Sequence, residues 1–176
     1  KSLDERCIVI CCSLKATAET VHAVERARQF GAVTIAMTGS PETGMAKAGE
    51  YVVVYSNGDE QIYSQSNQSM ALRLGFEILH QFEGYPLYHE AMAAFDQIDA
   101  IVAESKRSML PAAQSFAVEY QNDPLFQVLG AGPLYGTAYS MANCHFMEMH
   151  WRNAIMIHSG EYFHGPFEMT SETQPM

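Results

Sequence analysis

The sequence predicts an α/β fold, a three-layer, doubly wound and mostly parallel sheet, and three observations carry that reading. Short apolar runs at residues 7–12, 33–37 and 51–55 alternate with helical stretches, the order strand, helix, strand, short helix, strand. The first run, Cys7, Ile8, Val9, Ile10, Cys11 and Cys12, is continuously apolar, as in a parallel strand covered on both faces. Further on, Phe126, Val128 and Leu129 meet Gly130, Ala131, Gly132 and Pro133 and then a long amphipathic segment, which is how a strand, a tight turn and a helix are written.

Residues 1–6 are a polar lead-in to the first strand. Residues 19–30 read as a helix because Val21, Val24 and Ala27 recur at helical spacing, and Gly31 closes it. The second run ends at Thr38, Gly39, Ser40 and Pro41, and the third at Ser56, Asn57 and Gly58. Polar residues 58–69 lead into a helix over 70–82. Residues 84–123 are helical in pattern, with Met92, Phe95, Ile98 and Val102 on one side, then Met109, Phe116 and Tyr120. After the strand at Phe126, Gly130 and Gly132 permit close backbone approach and positive φ, and Pro133 suits a first helical turn. That helix carries Glu148 near its end. A last strand over 154–158 delivers the string GEYFHGPFE, residues 160–168.

The chain has 176 residues and a net charge of −10, with only 10 Lys and Arg. Such a surface repels a nucleic-acid duplex or an anionic membrane, so neither is expected as a partner. A single small phosphate is still compatible, because backbone N–H groups at a helix start bind it without net positive charge. No apolar run reaches the ~20 residues that span a bilayer and no export signal opens the chain, so a cytoplasmic location is the expectation. Of four cysteines, Cys7, Cys11 and Cys12 sit in the first strand and Cys144 in a helix. Adjacent strand residues face opposite ways, so no redox pair or zinc site is written, and these are expected to be small buried hydrophobes. His145, Glu148 and His150 invite a metal reading, but imidazoles five residues apart stand roughly 140° apart around a helix. No metal and no cofactor are expected.

The string GAGPLYG at residues 130–136, a Glu on the following helix, and then GEYFHGPFE resemble the second sugar-isomerase (SIS) domain of phosphosugar-processing proteins. Glu148 precedes His164 by 16 residues, the family's spacing. The flavour HGPFE is nearer to the deglycases of fructosamine 6-phosphates, of the fructoselysine and glucoselysine kind, which are related to the isomerase half of glucosamine-6-phosphate synthase. The resemblance implies two partial SIS domains, residues 1–84 and 124–176, joined by a helical connection over 85–123, in a fragment of a chain about twice as long.

It also implies a site. In SIS domains the loop matching Ser13, Leu14, Lys15, Ala16 and Thr17 holds the sugar phosphate with hydroxyls and amides. Here Cys12 and Leu14 stand where the family has serines and Lys15 where it has glycine, leaving Ser13 and Thr17 as hydroxyl ligands and Lys15 as a source of charge. Both hydroxyls are equally suited to capping the helix. Ser64, Gln65 and Ser66 are the matching residues of a second loop that borders the phosphate, or simply an N-cap cluster. Glu148 is expected to shuttle a proton between C1 and C2 of the sugar, its acidity lowered by Phe146, Met147, Met149 and Trp151 around it. His164 is expected to open the sugar ring, and water then hydrolyses the imine to glucose 6-phosphate and a free amine. Glu161 belongs to the same string and is suited to hydrogen-bonding the backbone around the turn, and Glu168 to facing the substrate amine or solvent; neither is expected to be catalytic. SIS sites are commonly completed by a neighbouring subunit, so a homodimer or higher homo-oligomer is expected, with His164 as the donated residue. Two alternatives remain: the isomerase part of a glutamine-dependent fructose-6-phosphate aminotransferase, and a non-catalytic sensor of sugar phosphates.

Overall fold

A computed structural model describes residues 3–56 and 62–171 of the chain. Its residues gather into two compact units, 1–108 and 109–176. Both units are mixed α/β with parallel strands.

In the first unit, strands β1 (Ile8–Cys12), β2 (Val33–Thr38) and β3 (Tyr51–Val54) form a parallel sheet in the order β1-β2-β3. The register sets Ile8 beside Val33, Cys12 beside Met37 and Ile35 beside Tyr51. Parallel neighbours need a crossover, and helices α1 (Ala18–Gln29) and α2 (Gly44–Ala48) supply it. They cover the face that carries Cys11 and Ala36, where Val24, Ala36 and Met45 are 0% exposed and Cys11, Ala16, Val21 and Ala48 pack around them. Three further helices follow: α3 (Asn67–Glu83), closed by Gly84 at φ 68°, α4 (Tyr88–Phe95) and α5 (Ile98–Glu119), whose residues from Met109 on count with the second unit.

Among the described residues α1 and α2 cover one face of the first strand. Among the described residues β1 lies at the margin of this sheet, and Ile8 and Ile10, which face away from α1 and α2, are 44% and 43% exposed. The cysteines follow from the same alternation. Cys11 turns toward the helices and burial raises its thiol pKa, whereas Cys12 is exposed, and Cys7 and Cys144 are only half-buried.

In the second unit, β4 (Phe126–Gly130) and β5 (Ala154–His158) pair in parallel, Phe126 beside Ala154 and Gly130 beside His158. Their crossover begins with helix α6 (Tyr135–Ser140) and continues without a break as a π-helix, Met141–Met149, where an ordinary α-helix was expected. Gly130 makes the tight packing possible: a Cβ there would meet the Ala138 Cβ at 2.5 Å and the Leu134 carbonyl at 2.9 Å. Ring contacts fix the direction of the crossover. Tyr135, at its start, lies 5.9 Å from His158 at the end of β5, and Phe146, near its finish, stacks at 4.5 Å on Phe126 at the beginning of β4. Beyond β5 the chain winds into two 3-10 turns, Ser159–His164 and Pro166–Met169. Among the described residues no helix is long and apolar enough to cross a membrane.

Candidate active site

The loop after β1 is built around Ser13. Its amide donates to the Met37 carbonyl at 3.0 Å, and its hydroxyl accepts the Thr17 N–H at 3.3 Å, closing the loop through Ala16, which sits at φ 55°. Thr17 occupies the N-cap of α1, but its side chain does not cap; it lies 3.0 Å from the Thr20 hydroxyl instead. The capping expected of Ser13 and Thr17 is therefore replaced by a hydroxyl-to-amide tie one turn earlier. The amide at the helix start holds the Glu19 carboxyl below the usual carboxylate range, with help from the Thr17 hydroxyl. Lys15 is exposed and has no hydrogen bond or ion pair among the described residues, and the Lys15 and Ala16 amides donate to no acceptor among them.

A hydrogen-bonded ladder runs from this loop along the carboxyl edge of the sheet. The Leu14 carbonyl accepts the Gly39 N–H at 3.1 Å and the Thr38 hydroxyl at 3.3 Å, the Thr38 carbonyl accepts the Tyr55 N–H at 3.0 Å, and the Ser56 N–H reaches the Gln65 carbonyl at 2.8 Å. That ladder brings the loop of Ser13, Lys15 and Thr17 and the turn of Ser64, Gln65 and Ser66 to the same edge, where doubly wound folds bind ligands. Residues 57–61, part of the polar stretch read as leading into the second loop, lie outside the described residues. Ser66 caps α3, accepting the Ser69 N–H at 3.3 Å. Gln65 exposes its side chain. Ser64 is engaged by a residue that the sequence did not single out: its amide donates to Asp99 Oδ1 at 2.9 Å and its hydroxyl to Asp99 Oδ2 at 2.6 Å.

Glu148 and His164 both belong to the second unit and are both exposed. Neither side chain makes a hydrogen bond or ion pair among the described residues. Glu148 lies at the end of the π-helix, on the side of the strands' amino ends, because Phe146 stacks on Phe126 and the chain then turns into β5 through Arg152, whose N–H reaches the Phe146 carbonyl at 2.8 Å. His164 lies beyond the carboxyl end of β5, in the 3-10 turn. Within one chain the two groups stand at opposite ends of the strand pair. The apolar surround expected of Glu148 is open: Met147, Met149 and Trp151 are 38%, 65% and 89% exposed.

Aligned with fructosamine deglycase FrlB of Bacillus subtilis strain 168, the chain is 37% identical over 174 residues, which is 98% of this chain and 53% of that protein. The chain is a homologue of the fructosamine deglycases. It is also 25% identical over 175 residues to fructoselysine 6-phosphate deglycase of Escherichia coli K12, covering 98% of this chain and 50% of that one. A crystal structure from Bacillus subtilis, described as that of a candidate phosphosugar isomerase, superposes with a TM-score of 0.93 at 36% identity over 99% of this chain and 53% of its own. The chain thus spans about half the length of these deglycase relatives and has the phosphosugar-isomerase fold. No protein-family model matches it.

Proposed function

We propose that the protein cleaves a fructosamine 6-phosphate to glucose 6-phosphate and a free amine, acting in the cytoplasm as a homo-oligomer of a longer chain with two SIS domains. The observation that carries this reading is the likeness to fructosamine deglycase along nearly the whole of the chain. In the proposed reaction Glu148 takes the proton from C1 of the aminoketose and returns it to C2, giving an aldose imine that water hydrolyses. His164 moves the proton of the ring oxygen as the sugar opens. The phosphate rests against the start of α1, held by the free amides of Lys15 and Ala16, the Lys15 ammonium and the hydroxyls of Ser13 and Thr17, with the turn of Ser64, Gln65 and Ser66 bordering it. Because one chain sets Glu148 and His164 at opposite ends of a strand pair, a site that uses both takes them from two subunits.

The test is incubation of the full-length protein with a panel of fructosamine 6-phosphates while glucose 6-phosphate is assayed. Release of glucose 6-phosphate and amine from one of the panel, with no reaction on fructose 6-phosphate plus glutamine, is the expected result. Aminosugar synthesis from the latter pair, with the panel untouched, would replace the deglycase by the isomerase of an aminotransferase. Binding without turnover of either would leave a sensor.

A further inference from the structure

Helix α5 holds the second candidate loop by two side chains on one face. Asp99, in its first turn, accepts both the amide and the hydroxyl of Ser64, at 2.9 and 2.6 Å. Seven residues later, two helical turns and so nearly the same angular position, Lys106 places its ammonium 4.6 Å from the centre of the Tyr63 ring and bonds its hydroxyl. Two consecutive residues of the loop are thus pinned by one helix. The bonds to Ser64 hold the Asp99 carboxyl below the usual carboxylate range, the hydroxyl first and the amide next. The pinned segment is the 3-10 turn Tyr63–Gln65, whose Gln65 carbonyl takes the Ser56 N–H and so ties it to the end of β3. It leads directly into Ser66, which caps α3.

We propose that Asp99 is a positioning residue for sugar-phosphate binding: it fixes the turn Tyr63–Gln65 against the carboxyl edge of the sheet and does not itself touch the substrate. The proposal rests on the reading that this edge takes the sugar phosphate. A Ser64 hydroxyl that gives its proton to a carboxylate at 2.6 Å has none for a phosphate, so the value of the contact lies in the backbone it immobilises. Without Asp99 the Ser64 amide and hydroxyl lose this partner, while the Ser56 N–H bond to the Gln65 carbonyl and the Ser69 hydroxyl bond to the Tyr63 carbonyl remain, which loosens a wall of the site rather than its chemistry.

The experiment is steady-state kinetics of the full-length protein on its fructosamine 6-phosphate, with calorimetric binding of glucose 6-phosphate and a thermal melt for each variant. Asp99→Ala is expected to raise KM and the Kd for glucose 6-phosphate about tenfold while kcat changes less than about twofold. Asp99→Asn retains Oδ1 for the Ser64 N–H and turns its amide toward the Ser64 oxygen, so it is expected to restore KM to within about threefold of wild type. Should Asp99→Ala fail to fold, Asp99→Ser, whose shorter side chain cannot reach both the amide and the hydroxyl of Ser64, is expected to show the same rise in KM with kcat retained. Unchanged KM and Kd in Asp99→Ala, a loss confined to kcat, or no recovery in Asp99→Asn would each overturn the positioning role. A wild-type protein that neither turns over nor binds any sugar phosphate would instead overturn the functional reading, and the proposal with it.

Discussion

Mixing two inactive variants tests how the site is assembled. Glu148 lies near the amino ends of β4 and β5 and His164 beyond the carboxyl end of β5. A five-residue strand rises about 3.3 Å per residue, so roughly 13 Å of strand separates the two ends. A proton-transferring group must come within about 3 Å of its target, so one chain does not present Glu148 to C1 and C2 and His164 to the ring oxygen of the same sugar. Glu148→Gln and His164→Asn are each expected to lower kcat by about 10²- to 10⁴-fold in the full-length protein, as loss of a general acid or base does. In a two-fold dimer with shared sites, mixed subunits create one doubly defective site and one intact site. Random reassortment makes half of the dimers mixed, so about a quarter of wild-type activity is expected after the two variants are dissociated together and reassembled. The assay is glucose 6-phosphate release before and after reassembly. Activity that stays at the level of the separate variants, with subunit exchange confirmed by differently tagged chains, would refute the reasoning, because every site would then carry one defect of its own.

Three other outcomes follow from the packing and the titrating groups. Met45→Ala empties a 0% exposed position in the first unit's core and is expected to destabilise that unit by about 2–5 kcal/mol, read from urea unfolding. Gly130→Ala drives a methyl to 2.5 Å from the Ala138 Cβ and 2.9 Å from the Leu134 carbonyl, with an expected loss of about 1–3 kcal/mol and a lower melting temperature. Tyr55 is 7% exposed and its phenol is pushed up from 10.0 to about 12, by burial first and then by the Cys12 thiol. A raised folded-state value favours the protonated form, so its contribution is whole below pH 10 and disappears as pH rises toward about 12. Melting temperatures of wild type are expected to fall more steeply through that window than those of Tyr55→Phe.

The strands were legible because parallel strands are apolar runs: the readings at 33–37 and 154–158 meet the observed β2 and β5 to within a residue. The same property says nothing of order within the sheet, since composition does not say which strand pairs with which. The π-helix was illegible for a different reason. Widening a helix to i→i+5 bonding is a backbone choice, visible in the His150 N–H that reaches the His145 carbonyl at 3.1 Å, and no apolar period announces it. The separation of Glu148 from His164 was implicit in the order strand, helix, strand: a crossover between parallel strands must end where the next strand begins. Asp99 could not be read at all, because it lies 35 residues from Ser64 in a segment whose pattern speaks only of helix.

The loop after β1 shows how a departure from the family's pattern is compatible with phosphate binding. Leu14 stands where SIS proteins carry a serine, and its side chain fills space that a serine would leave open. Its Cδ1 comes within 2.7 Å of where a Cβ on Gly39 would be, so Leu14 and Gly39 are a matched pair. Its carbonyl meanwhile anchors the ladder to Thr38 and Gly39. A serine at position 14 would give up that packing for one hydroxyl. In the proposed site the donors that replace it are backbone ones, the Lys15 and Ala16 amides beside the left-handed Ala16, with an ammonium on Lys15 where SIS proteins carry glycine. A proposed anion site built more on charge and amides than on hydroxyls depends more on ionic strength and less on hydroxyl geometry. Phosphate affinity in this chain is therefore expected to weaken with salt and to fall further on Lys15→Ala than on Ser13→Ala, the order opposite to that of a serine-built loop.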